Sequence, residues 1–162
     1  MPEILTAEQI YALAVGAGFS PSIEVVPGVS LPVCMTAIAL RESSGEPGTH
    51  NGNAETGDDS YGLWQINMKD PDVCRAVQAN ILMPVLKTQG AMAATYEALL
   101  DPRTNAKAAH LLYGGSLRNL GIAWYVYRAD PTPEQAEDQV KYERHLPAAQ
   151  AAEIAWKVAN PS

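Results

Sequence analysis

The chain has 162 residues, 47% of them hydrophobic and 18% charged, which is typical of one globular domain with a sizeable core. Its net charge of −7 and its lack of clustered basic residues argue against nucleic acid as a partner and against purely electrostatic binding to anionic polymers. No apolar run is long enough for a membrane span, and the acidic N-terminus does not resemble a signal peptide.

The N-terminal residues predict a capped helix followed by a loop. Thr6 stands where an N-cap is expected, and Gln9 completes the pattern of a capping box. Apolar residues follow at helical spacing until Gly16 and Gly18 end the helix. The prolines and the glycine between residues 20 and 30 predict a loop.

The second predicted helix is apolar on several sides, which is typical of a buried central helix. We expect it to begin after Ser30 as its N-cap, with Pro32 in its first turn, and to end just after Glu42. Residues 51–67 are rich in Gly, Asn and Asp. They predict turns, followed by a short strand or extended segment at 61–66.

The remainder of the chain is predicted to be mostly helical, with Asp101 as a cap and Pro102 in the first position of one helix. The predicted helices cover residues 71–82, 84–99, 102–113, 117–128, 133–145 and a last segment introduced by Pro147. Cys34 and Cys74 fall at apolar positions of predicted helices. We interpret them as buried free thiols, although one disulfide between them is also compatible with the sequence.

Glu42 is the residue to which the sequence draws attention first, because it stands at the exit of the predicted buried helix. A carboxyl group in that position is partly desolvated, which raises its pKa and lets it donate a proton near neutral pH. The polar loop and the aromatic-amide segment that follow would supply a sugar-binding wall facing this acid.

Four segments in this order resemble the signature of the lysozyme superfamily: ALRESSG at 39–45, GDDSYGLWQIN at 57–67, LLDPRTNA at 99–106 and WYVYRAD at 124–130. The first three resemble the three-part signature of lytic transglycosylases and goose-type lysozymes, and they are similar to lysozyme-like domains of phage tail and lysis proteins. The resemblance implies a mainly α, α+β lysozyme-like fold, a helical bundle around a buried central helix with a small turn-rich β or extended segment at the cleft. We expect one domain over 1–162, with a core at about 6–130 and helices of 131–162 packing on it.

The same resemblance implies a peptidoglycan-degrading muramidase that cleaves the β-1,4 bond between N-acetylmuramic acid and N-acetylglucosamine. Glu42 would be the general acid and base. Asp59 and Asp58 are candidates for a second catalytic carboxylate, but neither is in register with that of animal-type lysozymes, where Ser60 stands. A solvated turn is the other interpretation of this aspartate pair. Hydrolysis and lytic transglycosylation therefore both stay open, since the latter needs only one acid/base group.

The resemblance also implies residues that bind the glycan. Gln65 and Asn67 would form hydrogen bonds with N-acetyl and hydroxyl groups, and Ser44 matches a polar cleft residue of transglycosylases. Tyr127 matches the family tyrosine that contacts the catalytic glutamate, although Arg128 and Asp130 depart from the usual Asn and Gly. Four aromatic residues could stack on sugar faces or belong to the core; the better candidates for stacking are Tyr61 and Trp124, and the others are Trp64 and Tyr113.

We expect no metal and no cofactor. His50, His110 and His145 are scattered without the spacing of zinc ligands, and Cys34 lacks the partners of a thiol peptidase. The acidic loop is rich in oxygen ligands, which leaves calcium as an alternative, but its spacing lacks an EF-hand pattern.

The expected partner is the glycan strand of peptidoglycan, with other phage lysis or tail proteins as further candidates, and we expect a monomer. Without a signal peptide, the protein would be made in the host cytoplasm and delivered to the bacterial wall through a pore or in the virion. Two alternatives stay open, a non-catalytic lysozyme-fold component of a phage virion and a helical interaction domain with the acidic loop as its docking surface. An intact Glu42 argues against the first.

Overall fold

A computed structural model describes residues 3–53, 55–89 and 96–162, which form helices packed around a central one, with two small antiparallel sheets. The α-helices are α1 (Ala7–Ala17), α2 (Leu31–Ser43), α3 (Pro71–Val77), α4 (Met83–Gln89), α5 (Pro102–Tyr113), α6 (Arg118–Ala123), α7 (Pro133–Glu143) and α8 (Leu146–Ala159). The strands are β1 (Glu24–Val26), β2 (Val29–Ser30), β3 (His50–Asn53), β4 (Asp58–Tyr61) and β5 (Ile66–Asn67). These elements confirm the predicted fold class, mainly helical with a small sheet.

The first helix follows its sequence signals. Thr6 and Gln9 form the expected capping box, with the Gln9 backbone N–H donating to the Thr6 hydroxyl at 3.2 Å. Gly18 ends α1 in the left-handed conformation at a φ of 112°. The predicted loop at 20–30 is wrong in part, because β1 and β2 form a hairpin there. Its turn contains Pro27 followed by Gly28 at a φ of 81°, so the residues that indicated a loop form a tight turn. The strands on either side are too short to show an alternation of polar and apolar residues.

Helix α2 is the centre of the core, as the sequence predicts. The Ser30 side chain caps it by accepting a hydrogen bond from the Val33 N–H at 3.3 Å, and Pro32 lies in the first turn. Every side chain from Leu31 to Ala39 is buried, because α1, α7 and α8 pack against this helix. The chain leaves α2 through Ser44, which adopts the left-handed conformation at a φ of 54°.

Helix α8 is tied to the N-terminal part of the chain by a carboxylate. Glu153 accepts hydrogen bonds from the hydroxyl groups of Tyr11, at 2.8 Å, and Ser30, at 2.5 Å. Burial alone would raise the pKa of Glu153, but these two hydrogen bonds and the nearby Lys157 ammonium outweigh it and hold the pKa below its ordinary value. The C-terminal helix therefore packs on α1 and α2 through a charged contact as well as an apolar one.

The second sheet has the order β3-β4-β5, with Asn51 opposite Ser60 and Ser60 opposite Asn67. The predicted extended segment at 61–66 is wrong, because the chain reverses direction between β4 and β5. The reversal needs positive φ at Gly62 (77°) and Gln65 (48°). It is held by a side chain of the distant helix α5, so its cause lies outside the local sequence.

The later helices agree with the prediction in part. The segment 71–82 is α3 followed by a π-helical turn at Gln78–Leu82, and Asp101 caps α5 by accepting from the Thr104 N–H at 2.9 Å. The predicted helix 84–99 contains α4 and a 3-10 helix at Tyr96–Leu100, whereas residues 90–95 lie outside the described part.

The predicted helix 117–128 ends at Ala123, since Tyr125 and Tyr127 both have positive φ. The backbone N–H of Tyr127 instead donates at 2.6 Å to the side chain of Gln139 on α7. A tertiary contact therefore sets this boundary.

Cys34 and Cys74 are free thiols, as the sequence indicates, but the expected burial is confirmed for Cys34 and is wrong for Cys74. Cys34 is fully buried, and its burial raises the pKa of the thiol to about 12, whereas Cys74 is only half-buried. Within the described ranges, none of the helices combines the length and apolar character needed to cross a membrane.

Candidate active site

Glu42 lies in the last turn of α2, where the core helix reaches the surface. Its side chain is 24% exposed, so the carboxyl group is largely removed from water yet still accessible. Burial raises its pKa most strongly, the Arg41 guanidinium lowers it, and the charges of Asp138 and Asp58 raise it again. The pKa of Glu42 therefore stands above its ordinary value, the property required of a proton donor near neutral pH.

Arg41 completes the surroundings of this glutamate, and sequence reasoning missed it. Its guanidinium is 11% exposed and pairs with the Glu42 carboxylate. It also donates to the backbone carbonyl of Trp124 at 3.0 Å and, through a longer contact of 3.4 Å, to that of Asp138 on α7. The sequence did contain a signal for Arg41, since it is a charged residue in an otherwise apolar helix and stands next to the candidate acid.

The two candidate aspartates lie on opposite faces of the sheet, because adjacent residues of a strand alternate. Asp58 accepts a hydrogen bond from the Thr56 hydroxyl at 2.8 Å, and its charge acts on Glu42. Asp59 contacts the His50 ring nitrogen Nε2 at 2.7 Å and accepts from the Tyr61 hydroxyl at 3.4 Å. The two aspartates therefore have different surroundings: the charge of Asp58 acts on Glu42, whereas Asp59 belongs to a cluster with His50 and Tyr61 on the other face.

That cluster also engages the ring of Tyr61. His50 stacks on it with a centroid distance of 4.2 Å and an interplanar angle of 16°, and Tyr96 makes an edge contact at 5.8 Å. Partial burial, followed by the hydrogen bond to Asp59, raises the pKa of Tyr61 to about 12. One face of this ring is therefore covered by a protein side chain.

The amides of Gln65 and Asn67 shape the sheet. The Gln65 Nε2 group donates to two backbone carbonyls, at 2.9 and 3.1 Å, while its Oε1 accepts from the Asn51 amide at 2.8 Å. Asn67 Oδ1 accepts from two backbone N–H groups, at 3.1 and 3.2 Å. Asn67 lies opposite Ser60 and therefore on the same face of the sheet as Asp58. In Gln65, both the nitrogen and the oxygen of the side-chain amide already form hydrogen bonds within the protein.

The structure corrects the expectation for Trp124, which lies in the core instead of on a cleft wall. Its side chain is only 2% exposed, and its indole N–H donates to the Trp64 carbonyl at 2.8 Å. The Trp64 indole is also buried and donates to the Met35 carbonyl at 2.8 Å. These buried indoles satisfy their N–H groups on backbone carbonyls, and neither offers a face to a sugar.

Tyr127 contacts α7 through its hydroxyl group and its ring. Its hydroxyl group forms a hydrogen bond with that of Tyr142 at 3.1 Å, and the two rings meet edge to face at 5.5 Å. Among the described residues, the hydrogen bonds of Tyr127 do not include one with Glu42, the contact that the resemblance implies. Tyr127 lines a pocket of about 300 Å³ together with Arg128 and Gln139. Ser44, in contrast, is exposed two residues after Glu42, where α2 ends.

Within the described ranges, no three or more His, Cys, Asp or Glu side chains are grouped so that they could hold a metal ion.

A comparison with protein families matched residues 11–116, more than half of the chain, to the lysozyme-like domain. The matched range contains Glu42, both aspartates and the sheet, but ends before Trp124 and α7. Searches of curated proteins and of solved structures found no match. The family assignment supports peptidoglycan as the substrate and a glycosidase or lytic transglycosylase as the class of enzyme. The chain belongs to the lysozyme-like domain family.

Proposed function

We propose that this chain cleaves the β-1,4 bond between N-acetylmuramic acid and N-acetylglucosamine in peptidoglycan, with Glu42 as the general acid. The observation that supports it is the environment of Glu42, a largely buried but accessible carboxyl group whose pKa is raised by burial. Protonation of the leaving oxygen is the first requirement of glycosidic bond cleavage, because the sugar cation that develops needs a neutral leaving group.

The second step has two forms that make different demands on the chain. In lytic transglycosylation, the Glu42 carboxylate takes the proton of the muramic acid 6-hydroxyl, whose oxygen then bonds to the anomeric carbon as an anhydro ring. In hydrolysis, a second group holds the attacking water or stabilises the cation. We propose Asp58 for that role, because its negative charge acts on Glu42 and its carboxylate is exposed at the start of β4. Asp59 is engaged by His50 and Tyr61.

The proposed sugar site is smaller than the sequence suggested. Ser44 is exposed beside Glu42, and Asn67 shares a sheet face with Asp58, which supports both as glycan contacts. Tyr61 is half-buried and still offers part of its ring. We assign Gln65 the role of holding the β4–β5 turn instead of binding sugar directly.

The test is cleavage of purified sacculi by Glu42→Gln, with Glu46→Gln as the matched control on the loop that follows α2. Glutamine keeps the size of the side chain but cannot deliver a proton, so we expect a loss of at least about 100-fold for the first variant. The control should stay close to the wild type. A Glu42→Gln variant with near wild-type activity and intact folding would overturn the assignment.

Mass analysis of the released muropeptides identifies the reaction. Anhydro-muramic ends indicate transglycosylation, in which case Asp58→Asn and Asp59→Asn should both retain substantial activity. Reducing ends indicate hydrolysis, in which case Asp58→Asn should be the more impaired of the two. Reducing ends together with full activity of Asp58→Asn would refute the role proposed for Asp58.

We further propose that a phage uses the protein for lysis or entry, with delivery through a pore or in the particle. The support is the resemblance of the sequence motifs to phage lysis and tail proteins. Expression in a bacterial cytoplasm should cause lysis only when a pore-forming protein is supplied. Lysis without the pore would contradict this route, and failure of the wild-type chain to release muropeptides would favour the non-catalytic virion component.

A further inference from the structure

We propose that Arg41 is a positioning residue for Glu42, fixing the carboxyl group against the backbone of the C-terminal part of the chain. This inference rests on the proposed function, because it concerns the group that delivers the proton. It adds a residue to the site and assigns a role to a part of the chain outside the matched range of 11–116.

The geometry supports the assignment directly. Arg41 is 11% exposed, too buried for its guanidinium to be an ordinary surface charge. One of its nitrogens, Nη2, contacts both the Glu42 carboxylate and the Trp124 carbonyl, and Nη1 reaches the Asp138 carbonyl. A planar guanidinium presents its donors in a fixed fork, so these contacts restrict the orientation of the carboxyl group. Lysine offers a single flexible ammonium group and cannot reproduce this arrangement.

The contacts also explain why the C-terminal helices matter to the site. The Trp124 carbonyl is presented by the irregular segment after α6, and Asp138 lies in the middle of α7. Both carbonyl groups fall outside the range that matched the family. The position of the acid is therefore completed by residues that are distant from it in sequence.

The charges around Glu42 make the role measurable. Arg41 on α2 lowers the pKa of Glu42, whereas Asp138 on α7 and Asp58 on β4 raise it together with burial. Arg41 also acts on His145, whose pKa is lowered by burial and then by this guanidinium and that of Arg144. Removal of the Arg41 charge leaves two carboxylates facing Glu42, so its pKa should rise further.

The experiment compares the pH dependence of kcat for sacculus cleavage in Arg41→Met, Arg41→Lys and the wild type. Arg41→Met should lower kcat about 100-fold by loss of orientation and move the alkaline limb of the profile to higher pH. Arg41→Lys keeps the charge, so it should lower kcat while leaving that limb in place. The matched control is Arg75→Met, which removes a guanidinium of α3 that is 77% exposed and should leave kcat and the pH profile unchanged.

Two outcomes would overturn the proposal. One is a wild-type kcat and pH profile in Arg41→Met. The other is a loss of activity in both variants that is proportional to the fraction of unfolded protein, together with an unmoved alkaline limb in Arg41→Met. A merely structural role of Arg41 predicts that pattern. If Arg41→Met does not fold, Arg41→Lys decides the question through its kcat per folded protein: a lowered value supports the proposal, and a wild-type value overturns it. The proposed function fails separately, through an active Glu42→Gln variant.

Discussion

Replacement of Asn105 by alanine should destabilise the protein more than any comparable change of an exposed residue. Asn105 lies on α5 and is completely buried. Its amide nitrogen donates to the carbonyls of Tyr61 and Leu99, both at 2.8 Å, and its oxygen accepts from the Trp64 N–H at 2.9 Å. One side chain thus satisfies three backbone groups around the turn between β4 and β5.

The magnitude follows from those three contacts. A hydrogen bond contributes about 1 kcal/mol net, and more when its loss leaves a buried partner unsatisfied. Asn105→Ala should therefore lower the free energy of unfolding by about 3 kcal/mol. For a domain of this size the melting temperature should fall by roughly 6 to 12 °C. Because the turn fixes β4, activity should also fall at temperatures at which the variant is still folded.

The assay is urea denaturation of the wild type, Asn105→Ala and the control Asn119→Ala. Asn119 is the appropriate comparison, since among the described residues its amide makes one hydrogen bond, to the Tyr113 carbonyl at 2.8 Å, from a partly buried position. The control should lose about 1 kcal/mol or less. Equal losses in the two variants would refute the reasoning that one buried amide holds the turn.

Three further changes test other parts of the fold. Gly62→Ala should prevent stable folding, because its φ is 77° and an added Cβ would lie 2.3 Å from the Asn105 amide nitrogen. Glu153, whose pKa is lowered on folding, should contribute stability that is full above the ordinary pKa of 4.5 and is lost as pH falls through the lower folded value. In Glu153→Gln this part of the acid destabilisation should disappear. In the native protein a thiol reagent should modify Cys74 but not Cys34, which is fully buried with its pKa raised to about 12.

Each of these has a result that contradicts it. A Gly62→Ala variant with a wild-type melting temperature would mean that the turn tolerates a side chain. An unchanged acid limb of the stability curve in Glu153→Gln would show that the Glu153 carboxylate does not contribute to the loss of stability at low pH. Rapid modification of Cys34 under native conditions would show that α2 is more open than its burial indicates; urea-denatured protein, in which both thiols react, is the control.

Local signals predicted the helices whose ends are fixed by their own residues. The capping box of Thr6 and Gln9, the Ser30 cap and the Asp101 cap involve partners within one turn, so the sequence carries the whole interaction. The buried central helix was predictable for a similar reason, since a segment apolar on several sides has to be surrounded by other elements.

The boundaries that sequence reasoning missed depend on partners far along the chain. The reversal at Gly62 is held by Asn105, and the end of α6 is set where Tyr127 bonds to Gln139. The β1–β2 hairpin has strands of three and two residues, too short for alternation to appear. In the first two cases the local pattern was compatible with several structures and a contact with another element selected one, whereas the hairpin pairing is local.

The candidate site divides in the same way. The sequence by itself determined that Glu42 ends a buried helix, because apolar residues before it and glycine after it are local facts. Only the tertiary structure decided that Arg41 ties this carboxyl group to α7, that Asp58 and Asp59 face opposite sides of β4, and that Trp124 is a core residue. Orientation and burial depend on which elements pack together, and that packing brings Arg41, the neighbour of Glu42, into contact with Asp138 of α7, 97 residues further along the chain.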